Sequence, residues 1–65
     1  MNLYNYPDIL TTDEVCEILC ISKSNCLKLL NAGAIKAFKI NNSKIWKVPK
    51  KALIEFIQWR LSFSP

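Results

Sequence analysis

Residues 11–33, TTDEVCEILCISKSNCLKLLNAG, carry two helix starts and two helix stops in one short run. Thr11-x-x-Glu14 has capping-box spacing, and Asp13 and Glu14 fall in a first turn whose dipole favours acids. Leu10 and Val15 are placed as a hydrophobic staple, and Val15, Ile18 and Leu19 give this helix its buried face. The helix is expected to stop by Cys20 or Ile21. Ser22 is itself a good N-cap, and Cys26, Leu29 and Leu30 begin a new amphipathic pattern behind it. Gly33, the one glycine of the chain, stands where a left-handed residue would end the second helix.

Two short helices across a tight turn, from Thr12 to Asn31, have the spacing of a DNA-reading helix-turn-helix. Such a pair needs a small residue where the helices cross and a compact one in the turn, supplied here by Cys16 and Cys20. Ile21, Cys26 and Leu29 then seat the second helix. With these residues inward, helical geometry turns Ser22, Lys23, Ser24, Leu27, Lys28 and Asn31 outward. Lysine can meet guanine acceptors or phosphate, serine and asparagine can bond base edges, and Leu27 can meet a thymine methyl. An ordinary helical hairpin with a polar outer face would show the same pattern, so the pattern alone leaves both readings open.

On the N-terminal side, residues 1–10 form an extended lead-in expected to lay Tyr4 and Tyr6 on the core of a single domain, residues 11–65. On the C-terminal side, Ile35, Ala37, Phe38 and Ile40 alternate around Lys36 and Lys39; Asn41 to Lys44 form a turn, and Ile45 to Val48 resume. This is a β-hairpin, in which asparagine tolerates the positive φ of the turn. Pro49 ends the strand and opens a last helix from Lys50 to about Leu61, with Leu53, Phe56 and Ile57 inward. Ile54, Trp59, Leu61 and Phe63 lie outside that stripe. They either pack on the lead-in aromatics or offer a contact to a second copy or another protein.

A chain of 65 residues, about half of them hydrophobic and free of low-complexity runs, is an ordered single domain too small for a large enclosed active site. No stretch approaches the roughly 20 apolar residues of a membrane span, and Met1 to Asn5 lacks the features of a signal peptide, so a cytoplasmic, membrane-free protein is expected. The C-x3-C-x5-C spacing of Cys16, Cys20 and Cys26, without any histidine, is unfamiliar for zinc, and all three are expected inward as small hydrophobes with no metal. Neither a phosphate loop nor a pair of carboxylates outside the first-helix caps points to catalysis. A non-enzyme without cofactor is expected. The net charge of +4 is unevenly spread: Asp8, Asp13, Glu14 and Glu17 precede every basic residue, and from Lys23 onward nine basic residues face Glu55 alone. A polyanion would be drawn to the second part.

From Leu10 to Ile57 the sequence resembles the excisionase-type, MerR-like helix-turn-helix domains of bacteria and their mobile elements. The resemblance rests on Leu10-Thr11-x-x-Glu14-Val15-x-Glu17-Ile18-Leu19, Ile21-Ser22-x-Ser24, Leu29-Leu30-x-x-Gly33-x-Ile35-x-Ala37 and Trp46-Lys47-Val48-Pro49-x-x-x-Leu53-x-x-Phe56-Ile57. It implies a mostly α fold with a small β-hairpin, a winged helix-turn-helix of helix-turn-helix, two-stranded wing and C-terminal helix. The second helix would enter the major groove with Ser22, Lys23, Ser24, Asn25, Leu27, Lys28 and Asn31. The wing would bring Lys36, Lys39, Asn42, Lys44 and Lys47 to the backbone or the neighbouring minor groove. Trp46, beside two lysines, is expected to be buried under the wing rather than to stack on a single strand.

The implied function is sequence-specific binding of double-stranded DNA by an excisionase-like recombination directionality factor, in which copies on neighbouring sites bend DNA and steer an integrase. A small transcription regulator of a mobile element is the close alternative. A protein-interaction adaptor using the apolar C-terminal helix is the third reading. At this length no small-molecule effector region is expected. The sequence departs from the family pattern at Cys20 and Asn41, where glycine is usual, and at Leu27 and Lys28, where an aromatic and an arginine are frequent. Base preference therefore does not transfer from relatives. A left-handed backbone at Cys20 would cost on the order of 1 kcal/mol.

Overall fold

A computed structural model describes residues 3–62. The elements run β1 (Ile9–Leu10), α1 (Thr12–Leu19), α2 (Lys23–Asn31), β2 (Phe38–Lys39), β3 (Trp46–Pro49) and α3 (Lys50–Ser62). This is a winged helix-turn-helix: α1 packs on α2, and a small antiparallel sheet lies between α1 and α3.

Each boundary has a local cause. Thr11 caps α1 reciprocally, its hydroxyl accepting the Glu14 N–H at 3.1 Å while the Glu14 carboxylate accepts the Thr11 N–H at 2.9 Å. Leu10 and Val15 on either side of that cap are both fully buried, as a staple requires. The end of α1 is set by Cys20, whose φ of 56° and ψ of 44° are left-handed. This lets the Cys20 N–H reach the Glu17 carbonyl at 3.3 Å and the Ile21 N–H reach the Cys16 carbonyl at 3.1 Å. The end of α2 repeats the arrangement. Gly33 has φ 75°, its N–H reaches the Leu30 carbonyl at 3.2 Å, and the Ala34 N–H reaches the Leu29 carbonyl at 3.0 Å. Both are Schellman motifs, one built on glycine and one on cysteine.

Leu10, Val15, Cys26, Leu30, Ile35, Val48 and Leu53 form the core, so every element but β2 contributes to one cluster. Cys16, Ile18, Leu19, Ile21, Leu29, Trp46, Phe56 and Ile57 pack around it, half-buried.

The sheet departs from the expected two-stranded hairpin. Its order is β1-β3-β2, because the end of the lead-in pairs with β3 through Ile9 opposite Pro49 and Leu10 opposite Val48. The pairing lasts for two residues, too few to show a period. It is extended by the Lys50 N–H bonded to the Asp8 carbonyl at 2.7 Å. The Lys50 ammonium then clamps the lead-in, donating to the carbonyls of Leu3 at 3.3 Å and Tyr6 at 3.1 Å, with Asp8 3.8 Å away.

Leu3 is buried and Tyr6 packs on the core, but Tyr4 points into solvent, contrary to the expectation for both aromatics. β2 is also shorter than the alternation from Ile35 to Ile40 predicts, since Ile35 leaves the ladder and inserts into the core as an anchor between α2 and the hairpin. Cys20 is exposed, not inward, because the left-handed turn it makes swings its side chain out of the helix interface.

Candidate nucleic-acid interface

The two helix N-termini are treated differently by the sequence. α1 has Asp13 and Glu14 in its first turn, which answer the positive end of its dipole from within the chain. α2 has no acid in its first turn; Lys23, Ser24 and Asn25 stand there instead. Ser22 caps the helix through its hydroxyl, which accepts the Asn25 N–H at 3.2 Å, and its carbonyl accepts the Cys26 N–H at 3.0 Å. The N–H groups of Lys23 and Ser24 therefore lie at a positive helix end suited to an external anion such as a phosphate.

Cys26 and Leu30 are buried one helical turn apart and fix the rotation of α2. Opposite them Ser24, Lys28 and Asn31, at spacings of four and three, form one exposed stripe, flanked by exposed Asn25. Two predicted members sit differently. Lys23 leans toward α1, its ammonium 3.7 Å from the Asp13 carboxylate in an exposed pair of small worth. Leu27, expected outward, is half-buried and packs against the core because it stands at the edge of the arc that Cys26 and Leu30 bury.

In the wing, β2 and β3 pair Phe38 with Lys47 and Lys39 with Trp46. The tip is a turn closed by the Ser43 N–H on the Ile40 carbonyl at 3.0 Å, with Asn41 at φ 52° and the Ser43 hydroxyl accepting the Ile45 N–H at 3.0 Å. Asn42 and Lys44 are exposed there, and Lys47 is half-buried on β3. Lys39 lies over the Trp46 ring at 4.6 Å from its centroid, while Trp46 also packs on the core. Lys36 is not grouped with the wing: it lines a groove beside the last turn of α2 together with Gly33, Glu55 and Trp59 of α3.

The charge asymmetry is sharpened by partnership. The Asp8 and Asp13 carboxylates lie near Lys50 and Lys23, Glu14 caps α1, and Glu17 accepts the Tyr6 hydroxyl at 2.7 Å, a bond that holds the Tyr6 phenol above its ordinary pKa. Among the described residues Lys28, Lys36, Lys44, Lys47 and Lys51 form no ion pair. Four of the five acids thus have partners within the chain, and six of the eight lysines are exposed.

The cysteines divide. Cys26 is buried, its thiol pushed up to about 11 by burial and by a hydrogen bond to Cys16; Cys16 is half-buried and Cys20 exposed. No group of three His, Cys, Asp or Glu side chains among the described residues could hold a metal ion.

On the remaining predicted surface, Ile54 is half-buried while Trp59 and Leu61 are exposed; Phe63 lies outside the described residues. Among the described residues no helix is long and apolar enough to cross a membrane.

An exposed helix with no acid in its first turn, held by a second helix across a tight turn, is the arrangement of a helix-turn-helix DNA-binding class. The family model described as Helix-turn-helix domain matches residues 9–60, and the chain belongs to that family. Membership supports DNA as the ligand, and the family is typically non-enzymatic. No curated protein and no solved structure matches the chain.

Proposed function

We propose that this chain binds double-stranded DNA sequence-selectively, with α2 in the major groove and the wing on the adjoining backbone, as an excisionase-like recombination directionality factor. The observation that carries the DNA-reading part is the exposed Ser24, Lys28 and Asn31 stripe beneath an acid-free helix N-terminus. With its side chains an α-helix such as α2 is about 10–12 Å across, which suits a groove about 12 Å wide. Lys28 and Asn31 offer the donors and acceptors that base edges present, and Ser22, Lys23 and the wing lysines offer phosphate contacts that fix register.

The directionality role is supported by the resemblance of the Leu10 to Ile57 blocks to excisionase-type domains. Exposed Trp59 and Leu61 then serve contacts to a second copy or an integrase. A reconstituted excision reaction with an integrase and its attachment-site DNA tests the role. Excision should require the chain and fall at least tenfold with Lys28→Ala/Asn31→Ala. Excision unchanged by omitting the chain removes the directionality role and leaves promoter occupancy as the use of the same surface. A chain that binds no duplex at low salt yet captures the integrase through Trp59 and Leu61 acts as an adaptor instead.

A further inference from the structure

The groove beside the last turn of α2 holds two opposite charges that do not meet. One wall is the chain that follows α2, with Gly33, Ala34 and Lys36. The other is a single stripe of α3, in which Glu55, Phe56 and Trp59 follow Ala52 at helical spacings. The space between them is about 390 Å³, at the small end of binding clefts. Lys36 and Glu55 are exposed on opposite walls, and among the described residues neither forms an ion pair. Trp59, at the end of the stripe, is 52% exposed.

An occupant of this groove has to bring an acid to Lys36, a base to Glu55 and an apolar group to the space between. The same face of a second copy supplies all three. A two-fold axis running along the groove exchanges its walls, so that Lys36 of one copy meets Glu55 of the other and the reverse holds on the far side. Each Trp59 then crosses toward the Gly33 and Ala34 wall of the other copy. That wall has room for a ring, since an atom at the Cβ position of Gly33 would meet nothing within 4 Å. Tryptophan is enriched among the anchors of protein interfaces, and charges at the rim fix register and reject wrong pairings more than they add affinity. The groove on the other side of α3, between Leu29 and Leu61, holds Arg60 and no acid, so the same operation there gives no charge pair.

We propose that the α3 stripe of Ala52, Glu55, Phe56 and Trp59, with Lys36 across the groove, is an isologous interface through which two copies of this chain pair. This commits the α3 contact raised above to a second copy. It uses no residue of α2 or the wing, so the pair keeps both DNA-reading surfaces free. The pairing is therefore tested without DNA, and its failure leaves the DNA-binding reading standing.

The test is sedimentation equilibrium from micromolar to millimolar protein, at physiological salt, where the general repulsion between chains of net charge +4 is screened. Wild type should reach a dimer within that range. Lys36→Glu and Glu55→Lys each set like charges against one another on both sides of the axis, and each should weaken the dimer by about tenfold or more. An equimolar mixture of the two variants should dimerise, because one carries acids and the other bases at both rim positions. The double swap Lys36→Glu/Glu55→Lys should dimerise by itself. Recovery in the mixture also shows that both variants fold. A wild type that stays monomeric across the range overturns the proposal and leaves the groove to a different occupant. A dimer indifferent to the single swaps places the contact elsewhere, and a mixture that stays monomeric denies the two-fold exchange; each of these overturns it.

Discussion

Replacing Cys20 by glycine should stabilise the protein, whereas replacing Gly33 by alanine should destabilise it, although both residues end a helix in the same way. Cys20 holds φ 56° with a Cβ present, which costs an L-residue roughly 1–2 kcal/mol. Its side chain returns little, being exposed and offering only a long thiol contact of 3.7 Å to the Glu17 carbonyl. Glycine removes the strain but enlarges the entropy of the unfolded chain by about 0.4–1 kcal/mol, so a net gain near 0.5–1 kcal/mol is expected. At Gly33 an added Cβ would meet nothing within 4 Å, so Gly33→Ala isolates the backbone cost, about 1 kcal/mol of loss at φ 75°. For a domain of this size, 1 kcal/mol moves Tm by about 4–8 °C. Thermal and urea unfolding of wild type, Cys20→Gly, Cys20→Ala and Gly33→Ala provide the assay, with Cys20→Ala, which retains the Cβ, expected near wild type. Stabilisation by Cys20→Ala equal to that by Cys20→Gly would refute the backbone argument and place the strain in the thiol.

Lys50→Met should detach the lead-in by removing two charged hydrogen bonds to the Leu3 and Tyr6 carbonyls, lowering stability by roughly 2 kcal/mol, while Lys51→Met next to it should change little; urea midpoints for the two compare them directly. The Cys26 thiol, held at about 11 against an ordinary 9.0, stays protonated in the fold after the unfolded chain has begun to ionise. Its contribution is therefore complete below about pH 9 and is lost as pH rises toward 11, so the urea midpoint should fall across that window, with a shallower fall in Cys26→Ala. Lys28→Ala should reduce the slope of log affinity against log salt by about 0.9 if its ammonium meets one phosphate, and leave that slope unchanged if it reads a base instead; titrations at several salt concentrations separate the two.

The helix-turn-helix was legible because its boundaries are written in side-chain chemistry. Thr11 and Glu14, Ser22, and Gly33 are capping residues whose roles follow from hydrogen-bonding capacity and allowed φ, and all three predicted termini occur where those residues place them. The sheet was less legible. β1 is two residues long, and its partner Pro49 reads as a strand terminator, so neither side announces the pairing. The clamp by Lys50 is equally silent, since a lysine after proline looks like the start of any helix. At the interface, charge segregation was visible, but the partners of the acids were not. Leu27 shows the limit of a helical wheel: its spacing from Cys26 and Leu30 leaves it at the edge of the buried arc, and packing drew it inward.

The most direct test of the account is an NMR titration of the isotope-labelled chain with a selected duplex, followed residue by residue at low salt. The account predicts that the large amide shifts fall on Ser22 to Asn31 and on the wing from Lys39 to Lys47, with Trp59 and Leu61 at the free position in a one-to-one complex. Shifts centred on α3 with α2 unmoved, or no shift in any duplex at low salt, would contradict it.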